Sequence, residues 1–218
     1  MSRPSSLGLG RAERGPLPDR PAHGVRNREE EVLRRRERII DAASACVRKA
    51  GFHAASMAHI AKAAGLSVGQ IYRDFDNKEA IIAALVERRV ADLRETFAQL
   101  NSEPGDLLGA MIARLPQNID HCLGEDRISL DLEILAEAAR NPRVGQIVRR
   151  AEAKQMAIAV QLLSRLRKPD WSDQDFEVRA ELLHVLFEGV QARAVRRPDL
   201  DRAALVHGFA RLITEILD

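Results

Sequence analysis

The chain has 218 residues, of which 45% are hydrophobic and 30% are charged, so it can bury a full core in one or two domains. No run approaches the roughly 18 apolar residues needed to span a bilayer, and the N-terminus lacks the apolar core of a secretory signal. Composition therefore argues against a membrane or secreted protein, and we expect a cytoplasmic location. The two cysteines, Cys46 and Cys122, lie far apart without metal-ligand spacing, which favours buried free thiols.

Charge is distributed unevenly along the chain, although the net charge is only +2. Residues 1–78 contain 15 Lys and Arg against 9 Asp and Glu, whereas residues 79–218 contain 19 against 23. A basic segment is the electrostatic footprint expected of a domain that binds DNA phosphates. The arginines at 34, 35, 36 and 38 add to this footprint, although such a run is also typical of a solvated helix end.

The first predicted element is a helix over about residues 28–50. Before it, residues 1–26 contain four prolines, several glycines and scattered arginines without apolar periodicity, which predicts a disordered basic tail. The helix places apolar residues such as Ile40 and Ala43 on a packed side, and Gly51 is expected to end it.

Residues 56–80 predict two short helices around a turn, which is the pattern of a helix-turn-helix. Ser56 can cap the first helix, and Gly65 can end it in the left-handed conformation. Ser67 can cap the second helix. Apolar residues spaced by three and four predict the packed side of that second helix: Val68, Ile71 and Phe75.

The opposite side of the second helix carries Gly69, Gln70, Tyr72 and Arg73. A recognition helix needs small residues where backbones approach, and amide or guanidinium groups where base edges lie. Gln70 and Arg73 are therefore predicted to contact base edges. Taken alone, these residues are equally consistent with an ordinary helical hairpin that has a solvated face.

From Arg36 to Leu85 the sequence closely resembles the DNA-binding domain of TetR-family transcriptional repressors. The residues that carry this resemblance lie in three helices and a turn: Ile40, Ala43, Gly51, Phe52, Ser56, Met57, Ile60, Ala61, Ala64, Gly65, Leu66, Ser67, Ile71, Tyr72, Phe75 and Lys78. The resemblance implies that Tyr72 and Lys78 hold DNA phosphates and that residues 67–73 face the bases. The predicted DNA-binding set is then Ser56, Ser67, Gly69, Gln70, Tyr72, Arg73 and Lys78.

One position departs from the family pattern, because Asp74 stands where the family often has His or Tyr. A carboxylate near phosphates repels them, so Asp74 is expected to cap the following helix or to pair with a neighbouring arginine. It is also the one feature that favours an interaction protein whose helix-turn-helix has lost DNA binding.

The resemblance implies an all-α protomer with a three-helix N-terminal DNA-binding domain and a C-terminal helical domain that binds a ligand and dimerises. The predicted divisions are a tail over residues 1–26, a helix-turn-helix domain over 27–76 and a C-terminal domain over 77–218. The C-terminal half resembles the family only loosely. The implied function is a ligand-responsive repressor that binds a palindromic operator in double-stranded DNA as a homodimer.

Helical periodicity continues through the C-terminal half, and no segment predicts a strand. Helices are predicted at about 77–100, 106–121, 127–140, 142–167, 172–196 and 201–217, with Pro116 expected to kink or split the second of them. The helix over 77–100 follows the helix-turn-helix directly and is predicted to act as a lever. Apolar stripes on the last two helices, containing Leu183 and Phe209, predict a four-helix dimer interface.

An enzyme is the alternative from a different class. Glu181 and His184 have the Glu-x-x-His spacing of di-iron helical bundles, but such sites need two pairs and two further carboxylates. The sequence contains no nucleophile elbow, phosphate loop or dinucleotide fingerprint. We therefore expect no catalytic residue, no metal and no cofactor. A helical-bundle enzyme stays the alternative, because clusters of carboxylates formed only in three dimensions are invisible in sequence.

The helix over 142–167 carries Gln155 within an otherwise apolar stripe. A buried amide needs a partner, which is a core water, a neighbouring side chain or a small-molecule effector in an apolar pocket. The predicted pocket consists of Phe97, Met111, Leu115, Gln155 and Phe187, each of which is also consistent with ordinary core packing.

Overall fold

The computed structural model describes residues 23–102 and 105–218, and within them the chain forms ten α-helices and no strand. The helices are α1 His23–Ala54, α2 Met57–Ala64, α3 Val68–Asp74, α4 Lys78–Ser102, α5 Leu107–Ala113, α6 Leu115–Cys122, α7 Glu125–Arg140, α8 Pro142–Leu163, α9 Asp173–Arg196 and α10 Arg202–Leu217. A single 3-10 turn, Ser164–Leu166, follows α8. The all-α prediction is therefore confirmed.

The chain consists of two compact units, Met1–Arg35 and Arg36–Asp218. In the first, residues 28–31 of α1 are exposed, and Arg34 forms an ion pair with Glu30 at 3.3 Å. The expected disordered tail lies outside the described residues except for 23–26, which are already helical. The proposed domain boundary between residues 76 and 77 falls inside the second unit, so that division stays a prediction.

Two helix breaks have clear backbone causes. Gly51 has φ 77° and ψ 164°, which interrupts the helical conformation of α1 three residues before its last residue, Ala54. Pro116 occupies the first turn of α6, where its missing N–H costs nothing, so the predicted helix over 106–121 is split into α5 and α6.

The first hydrophobic core joins the helix-turn-helix to the middle of the chain. It combines buried residues of α1, α2, α3 and α4 with residues of α7 and α8, including Ile39, Ile60, Ile71, Ile82 and Val144. Each of these five side chains is 0 or 1% exposed. Close-packed cores transmit strain. A displacement of α7 or α8 would therefore shift the side chains of α4 and of the helix-turn-helix that pack in the same core.

The remaining helices form a second core. It gathers buried residues of α6, α9 and α10 around Trp171, which is 8% exposed, and Ile213, which is 1% exposed. A small third cluster, centred on Leu100, Leu107 and Leu162, lies where α4, α5 and α8 meet.

Polar contacts also fix α4 to its neighbours. Arg88 pairs with Glu37 and Asp41 of α1 at 3.2 and 2.6 Å. The next residue, Arg89, forms an ion pair with Asp131 of α7. Burial, with the nearby charges of other arginines, lowers the pKa of Arg89 to about 10. The predicted lever is thus tied by ion pairs to the helices on both sides of it.

Across the described parts of the chain, none of the helices is both long and apolar enough to cross a bilayer. Cys46 and Cys122 are free thiols and each is half-buried, so they are less enclosed than the sequence suggested.

Candidate DNA interface

The first helix of the helix-turn-helix is capped at both ends as predicted. The Ser56 hydroxyl accepts a hydrogen bond from the His59 backbone N–H at 3.2 Å. Gly65 adopts the left-handed conformation, with φ 64°, and its N–H donates to carbonyls of the last turn. Both caps are local, so residues within this short segment mark where α2 begins and ends.

The second helix begins with a capping box. The Gln70 backbone N–H donates to the Ser67 hydroxyl at 3.3 Å, and the Ser67 N–H donates to Gln70 Oε1 at 2.8 Å. Gln70, predicted to contact bases, is therefore half-buried and already holds the start of α3. Its amide NH2 group is not part of the cap and keeps two donors.

The two sides of α3 differ strongly in exposure. Gly69, Tyr72 and Arg73 are exposed, with Tyr72 at 51%, whereas Ile71 and Phe75 are 0 and 3% exposed. Val68 was expected on the packed side, and that prediction is wrong because it is 40% exposed. Val68 is the first residue of a seven-residue helix, and the first core covers Ile71 and Phe75 further along but not Val68.

Two arginines of α1 bind main-chain carbonyls at the C-terminal ends of α2 and α3. Arg38 donates to the carbonyl of Ala64, at the end of α2, at 2.6 Å. Arg36 donates to the carbonyl of Asp74, at the end of α3, at 2.8 Å and lies over the Phe75 ring at 4.3 Å. In the sequence, both arginines belong to the basic footprint. Helix ends carry unpaired carbonyls, but nothing in the sequence indicates which arginine reaches them.

Asp74, the residue that departs from the family pattern, takes part in one of these contacts through its main chain. Its backbone carbonyl meets Arg36, the neighbouring arginine. The start of α4 is capped by Asn77, whose Oδ1 accepts from the Ala80 N–H at 2.8 Å. Asp74 therefore does not cap α4, because Asn77 does, and the pairing of the Asp74 carboxylate with an arginine stays a prediction.

Lys78, the first residue of α4, has a structural role that was not predicted. Its ammonium donates to the carbonyls of Phe52 and His53 at 2.5 and 3.5 Å and lies 4.1 Å from the centre of the Phe52 ring. Burial lowers the pKa of Lys78, while nearby Glu137 and Glu79 act in the opposite direction. The end of α1 is therefore fixed by the start of α4.

The same end of α1 is held from the other side by two acidic residues of α7. Glu133 accepts from the Phe52 N–H at 3.2 Å. Glu137, only 2% exposed, lies 3.2 Å from His53 Nε2 and accepts hydrogen bonds from Arg140 and Asn141. Burial alone would raise the pKa of Glu137, but these hydrogen bonds outweigh it and the pKa is lowered.

Four of the five predicted effector contacts are divided between the second and third hydrophobic clusters. Leu115 is 1% exposed, and the Phe187 ring packs edge-on against Phe209 with ring centres 5.4 Å apart. Met111 touches both the second and third clusters, Phe97 borders the third, and Gln155 is half-buried. Two depressions of about 420 Å³ are open at the surface, and neither is lined by any of these five residues.

Comparison with known proteins matches both parts of the chain. Residues 39–85 match the family model for bacterial regulatory proteins of the tetR family. Residues 113–218 match the model for the C-terminal domain of BetI-type transcriptional repressors. The C-terminal half resembles the TetR family only loosely by inspection. It nevertheless matches a family model of transcriptional repressors.

Whole-chain relatives agree with these matches. The HTH-type transcriptional regulator UidR of Escherichia coli K12 is 30% identical over 201 residues, which cover 88% of this chain and 97% of UidR. The solved structure of Salmonella enterica GusR is 26% identical, with a TM-score of 0.67 over 85% of this chain and 96% of GusR. A Pseudomonas aeruginosa PAO1 protein assigned as a transcriptional regulator has the same fold, with 21% identity and a TM-score of 0.73 over 85% of this chain and 91% of that one. The chain belongs to the TetR family of DNA-binding transcriptional regulators.

Proposed function

We propose that the protein is a repressor that binds a palindromic operator as a homodimer in the cytoplasm and is released by a small-molecule effector. The observation that carries the proposal is the exposed side of α3, where Gly69, Tyr72 and Arg73 are uncovered on a helix capped at its start and held at its end. A rigid, exposed, short helix is what the major groove admits.

The predicted DNA contacts divide into two chemical groups. Arg73 and the free amide NH2 of Gln70 are suited to base edges, with Gly69 allowing close backbone approach. Tyr72, Ser56 and Ser67 are exposed hydroxyl groups suited to phosphates. Lys78 contributes positive charge, but its ammonium shares its donors with two main-chain carbonyls. Its effect on DNA is therefore partly indirect, through the end of α1.

The homodimer is proposed to form through α9 and α10, but not through Leu183 and Phe209. Leu183 and Phe209 are 6 and 7% exposed and belong to the protomer's own core, so that expectation is wrong. The large apolar residues left uncovered on these helices are Val178, Leu182, Val185, Val195 and Leu212, at 51, 47, 53, 57 and 42% exposure, and the first three of them lie along one side of α9. A second copy of the same face would cover them.

The effector is proposed to bind in the C-terminal half, next to the lever α4. Phe97 on α4, Met111, Leu115, Gln155 and Phe187 stay the proposed contacts. Because Leu115 and Phe187 are packed against neighbours here, an effector must displace side chains in order to enter. A ligand shifts the protein between states only by binding one of them more tightly, and such couplings are usually about 1 to 3 kcal/mol.

Fluorescence anisotropy tests the proposal directly. The protein is titrated into a labelled duplex from the region upstream of its own gene and into a scrambled duplex of equal length, at several salt concentrations. We expect tighter binding to the natural duplex, with affinity that falls as salt rises. Equal affinity for both duplexes, or no binding at low salt, would favour an interaction protein or an enzyme instead.

A further inference from the structure

Three metal-ligating side chains meet where α8 packs against α9. His184 Nε2 on α9 lies 2.9 Å from Glu152 Oε1 on α8 and 3.7 Å from Glu188 Oε1 on α9. The three ligand atoms all lie within 4.8 Å of one another. The imidazole is 23% exposed and the carboxylates are 43 and 62% exposed, so the group is reachable from solvent yet anchored on two helices.

Charge in this cluster is unbalanced. Two carboxylates face one imidazole, and a protonated imidazole neutralises only one of them. Glu181, one turn before His184, lies close enough to add to the negative potential. Within the described residues, the ion pairs formed by Glu152 and Glu188 are both with His184. A divalent cation would offset this charge more completely than a proton does.

We propose that Glu152, His184 and Glu188 form a binding site for a divalent transition-metal cation such as Zn²⁺ or Co²⁺. One imidazole nitrogen with two carboxylate oxygens is a ligand set that these ions accept, and water fills the remaining positions. Ligand atoms about 2.0–2.2 Å from a tetrahedral ion stand about 3.3–3.6 Å apart. The separations of 2.9 and 3.7 Å from His184 Nε2 lie on either side of that range, and the two carboxylate oxygens lie within 4.8 Å of each other, so side-chain rotations can bring all three ligands around one ion.

The site differs from the one that the sequence suggested. Glu181 and His184 have a metal-like spacing, but the carboxylates that meet His184 belong to Glu188, one turn later on α9, and to Glu152 on α8, 32 residues earlier in the chain. On α9, His184 and Glu188 lie along a different stripe from the uncovered Leu182 and Val185, because a helix turns about 100° per residue. Metal binding therefore does not need the apolar face. The ion could bind whether or not the proposed operator, dimer and effector are correct.

A bound ion would join two helices with different neighbours. α8 packs along α4, whereas α9 packs on α6 and α10. We expect the metal to clip α8 to α9 and so to raise the unfolding temperature of the protein, as any ligand specific to the native state does.

The test uses tag-free full-length protein that has been treated with chelator and then separated from it. Co²⁺ is titrated while its visible d–d absorption is followed, and Zn²⁺ affinity is measured by competition with a chromophoric chelator. We expect one high-affinity site per protomer and an increase in unfolding temperature. His184→Gln and Glu152→Gln should each weaken binding by about 100-fold or more, because even outer-shell changes usually cost 10- to 100-fold.

Two matched variants control for nonspecific effects. Glu181→Gln removes a nearby negative charge on the same helix but no ligand, and His207→Gln removes an exposed imidazole of α10. Both should keep the affinity of the parent protein within a few-fold. The proposal is overturned if the parent protein has no stoichiometric site, if His184→Gln binds as well as the parent, or if Glu181→Gln is as damaging as Glu152→Gln.

Discussion

Arginine side chains near the helix-turn-helix serve two different purposes. Arg36 and Arg38 donate to main-chain carbonyls and hold α2 and α3 in place. Arg73 is exposed on the outer side of α3. Basic residues that look equivalent in the sequence are thus divided by the fold into those that shape the DNA-binding surface and those that can touch DNA.

Replacing Arg73 with alanine should reduce operator affinity by about 1 to 3 kcal/mol and relax the base preference at one position, because a guanidinium group specifies a base edge. Anisotropy titrations on the operator and on single-base variants measure both effects. Tyr72→Phe is the matched comparison, since it removes one exposed hydroxyl and should weaken all duplexes alike. Unchanged affinity and preference in Arg73→Ala would show that Arg73 does not contact bases.

The end of α1 is held by side chains of two other helices. Gly51 breaks the helical conformation there, Lys78 of α4 binds the Phe52 and His53 carbonyls, and α7 supplies Glu133 and Glu137. A side chain at position 51 would approach Glu133 Oε2 to 3.2 Å and would be strained at this φ. Three helices therefore meet at one short segment that directly precedes the helix-turn-helix.

Glu137→Gln should lower the free energy of unfolding by about 1 to 3 kcal/mol at neutral pH, because buried hydrogen bonds to a charged group are lost. The pKa of Glu137 is lowered in the folded protein, with Arg140, Asn141 and His53 facing its carboxylate. Its stabilisation is thus present above the ordinary pKa of a glutamate and is lost as pH falls through the lower, folded pKa.

Urea unfolding of parent and variant over a pH series measures this dependence. The difference between the two proteins should shrink towards acid pH. Glu125→Gln, at the exposed start of the same helix, is the control and should have little effect. A difference that does not change with pH would mean that Glu137 acts through packing and not through its charge.

At the scale of the whole molecule, α9 has two kinds of apolar residue. Some are buried in the protomer's own core, and others are left exposed. Leu183 closes the second core, whereas Leu182 beside it is 47% exposed. A glutamate at position 183 would disrupt the protomer, so only the uncovered positions can test assembly.

Leu182→Glu should convert the proposed homodimer to a monomer at micromolar concentration, because it places a charge in the centre of a mutually covered apolar face. Light scattering measures the mass, and circular dichroism checks that the fold is retained. Leu135→Glu on α7, where the leucine is 50% exposed, is the matched control and should leave the mass unchanged. A monomeric parent protein, or a Leu182→Glu variant with the mass of a dimer, would exclude this interface.

The sequence alone determined the features that depend on short stretches of chain. Helix caps at Ser56 and Ser67, the left-handed Gly65, and the break at Pro116 follow from local geometry, and the structure has each of them. The packed side of α3 was predicted at Ile71 and Phe75 for the same reason. The prediction for Val68 was wrong because, in a helix of seven residues, periodicity does not by itself fix which end the core covers.

Only the tertiary structure decided the features that depend on residues far apart in the chain. Arg38 reaches Ala64, Glu137 reaches His53, and Glu152 meets His184 across separations that no periodic pattern encodes. Periodicity likewise marked α9 as apolar without separating Leu183, which is buried, from Leu182, which is exposed. A helix with apolar residues on more than one side can turn any of them towards its own core, and the packing of the other helices makes that choice.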